Sequence, residues 1–256
     1  MLTVKDLKIE FFDHELPEVA VKDVDFTIED GEILGIVGES GSGKSMTAMA
    51  VAGLLNRKDM TKSGVIDFDG TDILNSPRSK IREIQGKDIG FVFQDPLNSM
   101  NPVLKVGPQV EEAMRIRKKA LNLSKEDMKK RALEVMKSVG LNDTERIYDS
   151  YPHQISGGQR QRAMIAAALV LKPKLLICDE PTTALDVTVQ KKIIDVLKEL
   201  NRKMGTSILF ISHDLSVIKA LCDKVIVMKD GLVVEEGSVK DIFENPSKEY
   251  TKQLIF

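Results

Sequence analysis

One eight-residue stretch constrains this chain more than any other: Gly38-Glu39-Ser40-Gly41-Ser42-Gly43-Lys44-Ser45. It has the form G-x-x-x-x-G-K-[ST] and lies between a short apolar run, Glu32 to Val37, and a stretch predicted to be helical, Lys44 to Leu55. Strand, glycine-rich turn and helix in that order make one unit of a parallel α/β sheet. The glycines let successive backbone N–H groups turn inward around a phosphate, where a Cβ would block the approach. The helix offers its N-terminus to the anion, Lys44 adds a point charge at the β/γ oxygens, and the Ser45 hydroxyl is a ligand for Mg²⁺. Gly38, Ser40, Gly41, Ser42, Gly43 and Met46 complete the expected phosphate site.

A second apolar strand, Leu175-Leu176-Ile177-Cys178, ends in Asp179 and Glu180. Asp179 is expected to hold Mg²⁺ directly or through water, and Glu180 to sit where a water attacks the γ-phosphate. By itself such a pair could equally cap the next helix or solvate a loop. Neither motif separates a kinase from a GTPase or a transport ATPase. Between them, Ile155-Ser156-Gly157-Gly158-Gln159 opens a helix that runs through Arg160, Gln161 and Arg162. A serine N-cap with flexible glycines and solvated arginines accounts for a helix start, yet the tip is also a second anion-ready terminus.

Around these motifs the texture is α/β. Leu2, Val4, Leu7, Ile9 and Phe11 roughly alternate with polar residues, with one slip near Asp6; Val24, Phe26 and Ile28 alternate cleanly up to a turn at Asp30-Gly31. Residues 108–140 read as helical, with Met128, Ala132, Val135, Met136 and Val139 on one face, a capping box at Ser124 and Asp127, and a stop at Gly140. A helix from 159 to about Val170, the strand Leu175–Cys178, a helix over 188–204 stopped by Gly205, and a strand Ser207–Ser212 follow. Two strands, Val225–Met228 and Leu232–Glu235, flank a Lys229-Asp230-Gly231 turn. The result is an α/β core interrupted by a helical insert.

Composition excludes several classes. The charge sum is 37 − 39 = −2, so the chain as a whole is no polyanion binder. Two cysteines, Cys178 and Cys222, in apolar surroundings make no disulfide framework and point to buried thiols in a reducing compartment. The longest apolar run, Ala163–Leu171, is nine residues, short of the roughly 20 a spanning helix needs. With no signal peptide at the charged N-terminus, a soluble, cytoplasmic chain is expected. His14 and His153 lack metal-like spacing, and Lys129-Lys130-Arg131 reads as a solvated helix face rather than a nucleic-acid patch.

Taken together, GESGSGKS (38–45), Gln94 within FVFQDP, ISGGQ (155–159), LLICDE (175–180), ALD (184–186) and ISHD (211–214) resemble the ATP-binding cassette (ABC) family in motif order over almost the whole chain. Ile155 replaces the usual leucine, a volume-conserving swap. The resemblance implies a P-loop NTPase of the α/β class with a RecA-like core (1–96 and 159–256), an N-terminal antiparallel β layer and an inserted α-helical subdomain (about 97–158), all one domain. It implies a head-to-tail dimer with two ATP molecules between subunits. Ser156, Gly157, Gly158 and Gln159 of one chain would then cover the γ-phosphate held by Gly43, Lys44 and Ser45 of the other, and Asp186 would reach toward the partner's phosphate loop. Gln94 would contact Mg²⁺ and the attacking water, Glu180 would polarise that water, and His213 would bridge the γ-phosphate and Glu180. Phe11 falls about where the family places an aromatic that stacks on adenine, with Phe12 as rival and core packing as the plain alternative.

FQDPLNSMNP (93–102), YPHQISGGQRQRAMIAAAL (151–169) and DEPTTALDVTVQ (179–190) resemble the peptide/nickel importer branch. The implied role is ATP hydrolysis that energises uptake of peptides or nickel and other metal chelates. The implied partners are transmembrane permease subunits, a second ABC ATPase subunit and, indirectly, an extracytoplasmic solute-binding protein, with no nucleic acid. The implied location is the cytoplasmic face of the membrane, with a permease coupling helix received at roughly Leu97–Met114. Many peptide-branch subunits continue past the stretch that here ends at Phe256, which leaves a shorter nickel-type subunit or a truncated form open. The competing readings are a soluble ABC ATPase acting on DNA or ribosomes and a regulatory subunit that clamps ATP without turnover.

Overall fold

The computed structural model describes residues 1–12, 18–94, 99–182 and 187–255. In chain order they form β1 (Leu2–Phe11), β2 (Glu18–Ile28), β3 (Ile33–Val37), α1 (Lys44–Val51), β4 (Met60–Phe68), β5 (Thr71–Asp72), α2 (Arg78–Ile84) and β6 (Ile89–Val92). A run of helices follows: α3 (Val106–Val110), α4 (Glu112–Ile116), α5 (Lys118–Leu121), α6 (Lys125–Ser138), α7 (Thr144–Asp149) and, after a 3₁₀ turn at Pro152–Gln154, α8 (Gly157–Leu169). The remainder is β7 (Leu175–Asp179), α9 (Val187–Met204), β8 (Ser207–Ile211), α10 (Leu215–Leu221), β9 (Lys224–Lys229), β10 (Leu232–Ser238), α11 (Val239–Glu244) and α12 (Glu249–Ile255). These elements divide into two compact units, Met1–Gln85 with Ser207–Phe256, and Gly86–Thr206.

The first unit carries an antiparallel sheet in the order β2-β1-β4-β5 and a mixed arrangement β10-β9-β3-β8 in which β3 lies parallel to both β8 and β9. The slip near Asp6 is a β-bulge. Asp6 adopts a left-handed φ of 49° and its N–H donates to Asp25 Oδ1 at 2.6 Å, so Leu2, Val4, Leu7 and Ile9 are all buried despite the broken alternation. β3 is buried along its whole length, as a strand with parallel neighbours on either side must be. Helix α1 ends at Val51 rather than Leu55, because Gly53 turns to φ +65° two residues later. The turn at Asp230 and Gly231, both at positive φ, joins β9 to β10 as expected. The last two helices were not legible in the sequence; α12 is led in by the Glu235 carboxylate, which accepts from Ser247 N–H at 2.7 Å, Ser247 Oγ at 2.8 Å and Lys248 N–H at 3.2 Å.

The second unit pairs β6 with β7 in parallel, Ile89 opposite Leu175 and Val92 opposite Cys178. The helical stretch 108–140 comprises four helices, counting the one that begins at Val106. Asn122 at φ 49° ends α5, and the Ser124–Asp127 capping box, with both bonds at 3.0 Å, starts α6 afresh. The Ser124 donors also hold the Asp127 carboxyl below its usual range. Met128, Ala132 and Met136 form the buried stripe of α6, and Ile193, Ile194, Leu197 and Leu200 that of α9.

Gly90 of β6 packs against α8 so closely that an added Cβ would lie 2.6 Å from the Ala168 carbonyl oxygen. Gly90→Ala is therefore expected to destabilise the fold by about 1–3 kcal/mol, as overpacking does. Urea denaturation with an unchanged midpoint would contradict that packing.

Candidate nucleotide site

The glycine loop between β3 and α1 is built from the first unit alone. Gly38, Gly41 and Gly43 have φ of 151°, 83° and 96°, conformations that Cβ-bearing residues rarely hold. A Cβ at Gly43 would lie 2.6 Å from the Ala20 carbonyl oxygen of β2, and one at Gly38 would collide with the Met228 carbonyl oxygen of β9. The Gly231 N–H donates to the Ser42 carbonyl at 3.2 Å. Three elements thus press the loop into shape. Inside it, Lys44 is only 5% exposed. Its ammonium donates to the carbonyls of Gly38 at 2.8 Å and Glu39 at 2.7 Å, and to Ser42 Oγ at 3.4 Å. Helix α1 has Gly43 as N-cap with no side-chain cap and no acid in its first turn, which leaves the positive end of its dipole uncompensated by its own first turn. Ser45 and Met46 follow on its first turn, half-buried, while Glu39, Ser40 and Gly41 form the exposed crest. The Glu39 N–H donates to Tyr250 Oη of α12 at 3.3 Å, a contact that no sequence motif announces.

His213 reaches the same edge of this unit. Ile36 of β3 pairs with Ile211 of β8, so the loop after β3 and the His213 loop after β8 leave the sheet at neighbouring strand ends. Asp214 fixes the turn: its N–H donates to Ser212 Oγ at 3.0 Å, and its carboxylate accepts from the Ser216 N–H at 2.9 Å to cap α10. Phe11 closes β1, half-buried, with the Arg57 guanidinium 5.1 Å from its ring centroid; Phe12 is exposed.

In the second unit, parallel pairing of β6 and β7 brings Gln94 and Glu180 together just past the strand ends. Gln94 Nε2 donates to Glu180 Oε2 at 2.9 Å. Glu180 sits at φ 47°, a left-handed turn that swings its side chain off the strand axis. Asp179, 7% exposed, is the last strand residue. Burial, and then the neighbouring Asp179 carboxylate, push the Cys178 thiol well up, so this cysteine is unreactive.

Ser156 is the N-cap of α8. Its Oγ accepts from Gln159 N–H at 3.3 Å while Gln159 Oε1 accepts from Ser156 N–H at 3.0 Å. Gly157 faces open space, whereas a Cβ on Gly158 would stand 2.8 Å from Val189 Cγ1. Arg160 and Arg162 are half-buried rather than solvated: the Nε of each is buried without a hydrogen-bond partner, and burial lowers the Arg162 guanidinium from its usual range. His153 is exposed and stacks on Tyr151 with ring centroids 5.7 Å apart. Lys129 lays its ammonium over the Tyr148 ring at 5.1 Å, so that side of α6 is partly engaged with protein. Asp186 and His14 lie outside the described residues.

A glycine loop held around a buried lysine at a helix N-terminus marks the phosphate-loop class of nucleotide-binding proteins. Comparison with known proteins narrows the class. The ABC transporter family model matches residues 21–183. The dipeptide transport ATP-binding protein DppD of Haemophilus influenzae is 44% identical over 255 residues, covering 100% of this chain and 76% of that protein. The oligopeptide transport ATP-binding protein OppD of Bacillus subtilis is 45% identical over 256 residues, covering 100% of this chain and 71% of that protein. Among solved structures, a dimeric ATP-binding cassette in a post-hydrolysis state with ADP and Pi bound superposes with a TM-score of 0.84 at 32% identity, covering 93% of this chain and 99% of that one. The chain belongs to the ABC transporter family, among the ATP-binding proteins of the dipeptide and oligopeptide importer branch. It is an ATPase that hydrolyses ATP to drive transport.

Lys44→Ala removes the only ammonium inside the loop's own hydrogen-bond network among the described residues. It is expected to weaken MgATP binding at least about tenfold, the cost of one charge-assisted phosphate contact. Equilibrium dialysis showing unchanged affinity would rule out this loop as the phosphate cradle.

Proposed function

We propose that this chain powers peptide uptake through a membrane permease, working as one half of a head-to-tail ATPase pair. The Gln94–Glu180 hydrogen bond at 2.9 Å is the observation that carries the catalytic part of this reading. It joins the residue that would orient the attacking water to the residue at the head of the helical stretch. The named cargo of the relatives is dipeptide or oligopeptide, which favours peptides over nickel chelates for this chain.

Each site residue has a role in this mechanism. Gly38, Ser40, Gly41, Ser42 and Gly43 wrap backbone N–H groups around the phosphates, Lys44 releases its loop carbonyls to meet the β/γ oxygens, and Met46 follows on the bound helix turn. Ser45, Gln94 and Asp179 offer a hydroxyl, an amide oxygen and a carboxylate, an all-oxygen set that suits Mg²⁺. Bound there, the ion would neutralise charge on the β- and γ-phosphates. Glu180 orients the attacking water; because a carboxylate is a weak base at neutral pH, placement of the water counts for more than proton abstraction. His213 holds the γ-phosphate from the β8 edge. Ser156, Gly157, Gly158 and Gln159 act on the nucleotide of the partner copy, where the bare face of Gly157 leaves room for it, and Asp186 reaches toward the partner's phosphate loop. Phe11 stacks on the adenine.

The permease side rests on exposed apolar side chains. Phe93 at 44%, Val103 at 76% and Leu104 at 47% exposure lie in and beside the segment expected to receive a coupling helix. Among the described residues no helix is long and apolar enough to cross a membrane. In this reading a permease partner supplies the membrane path and holds this chain at the cytoplasmic face, in keeping with the transport role that the names of the relatives carry.

Two experiments test this reading. Glu180→Gln keeps the side-chain shape and should retain MgATP while slowing hydrolysis at least about a hundredfold, trapping the dimer; near-normal turnover would remove Glu180 from the role. Val103→Glu combined with Leu104→Glu should abolish recovery of the chain with membranes while leaving its ATP affinity unchanged. Recovery with ribosomes or DNA instead of an integral permease would favour the non-transport alternative.

A further inference from the structure

Arg57 belongs to none of the motifs, yet it occupies one face of the Phe11 ring, 5.1 Å from the centroid. It is held there. Arg57 Nε donates to Asp59 Oδ1 at 3.0 Å and Nη2 pairs with Oδ2, a two-pronged grip that keeps the Asp59 carboxyl below its usual range. Asp59 is itself tied to the end of β1, where its main-chain carbonyl accepts from Phe12 N–H at 2.8 Å and Met60 pairs with Phe11. Ring and cation are therefore anchored to the same two strands. The β1–β2 ladder puts Phe11 opposite Glu18, two residues from Ala20, the residue whose carbonyl is packed against Gly43 of the phosphate loop.

We propose that Arg57 is a positioning residue for the nucleotide base: it backs Phe11, so that the base stacks on the face Arg57 leaves open. This rests on the reading of Phe11 as the adenine platform. The cation is attracted to the electron-rich face of the ring and fixes the ring's orientation before the nucleotide arrives. A ring that is already oriented loses less side-chain freedom on binding, which favours the complex. The contribution belongs to the base, since the Arg57 guanidinium grips Asp59 and covers the Phe11 ring.

The test compares binding of MgATP and of inorganic tripolyphosphate, which has no base, to the full chain. The variants are Arg57→Ala, Arg57→Gln and Phe11→Ala, with each Arg57 change also made on the Phe11→Ala background. Both Arg57 changes should weaken MgATP about two- to fivefold, the range of an exposed cation–π contact, with tripolyphosphate affinity unchanged. On the Phe11→Ala background they should have no further effect. Equal weakening of both ligands, no weakening of MgATP, or a full additive effect on the Phe11→Ala background would overturn the proposal while leaving Phe11 as the platform. If Phe11→Ala itself leaves MgATP affinity unchanged, the stacking reading fails and the role of Arg57 fails with it.

Discussion

The buried ammonium of Lys44 is the interaction on which the site depends. A lysine this buried is stable only when its donors are met, and here the carbonyls of Gly38 and Glu39 meet them at 2.8 and 2.7 Å. Those bonds cross the glycine loop from end to end and hold it curved. The surrounding constraints serve the same end: β3 is buried throughout, the Met228 and Ala20 carbonyls exclude any side chain at Gly38 and Gly43, and Gly231 braces Ser42. A loop braced by this many of its own contacts has little backbone freedom left to lose.

The second centre works by a different means. Parallel strands of nearly equal length end side by side, so the residues just beyond them meet without any long loop. This is why Gln94 and Glu180, 86 positions apart, share a hydrogen bond. The left-handed backbone at Glu180 turns the carboxylate away from the strand direction, a conformation disfavoured for residues with a Cβ and expected where geometry matters to function. Since Gln94 also begins the run toward the helices, a movement there would be felt at the carboxylate.

Much of this was legible because it is local. The phosphate loop, the strand ending in Asp179 and the capped tip at Ser156 are each specified by adjacent residues, and even the bulge at Asp6 announced itself as a break in alternation. What escaped was either punctuation or distance. Asn122 in a left-handed turn divides the helical stretch just before the new start that the Ser124 cap marks, a break that periodicity does not show. Gly53 cuts α1 short by the same kind of backbone reversal. The helices α11 and α12 are too short to show a period. Arg57 and Phe11, 46 positions apart, meet because β1 and β4 pair, and no spacing rule within either segment foretells that.

The contact between Ala20 and Gly43 has a mechanical consequence. The antiparallel sheet leans on the cradle through the Ala20 carbonyl and the Val21 side chain, so it behaves as a strut rather than as a cover. Any slip of β2 by a residue would move that carbonyl away from the loop and turn its neighbours to the opposite face of the sheet. Strand register in the antiparallel sheet is thereby tied to the shape of the glycine loop.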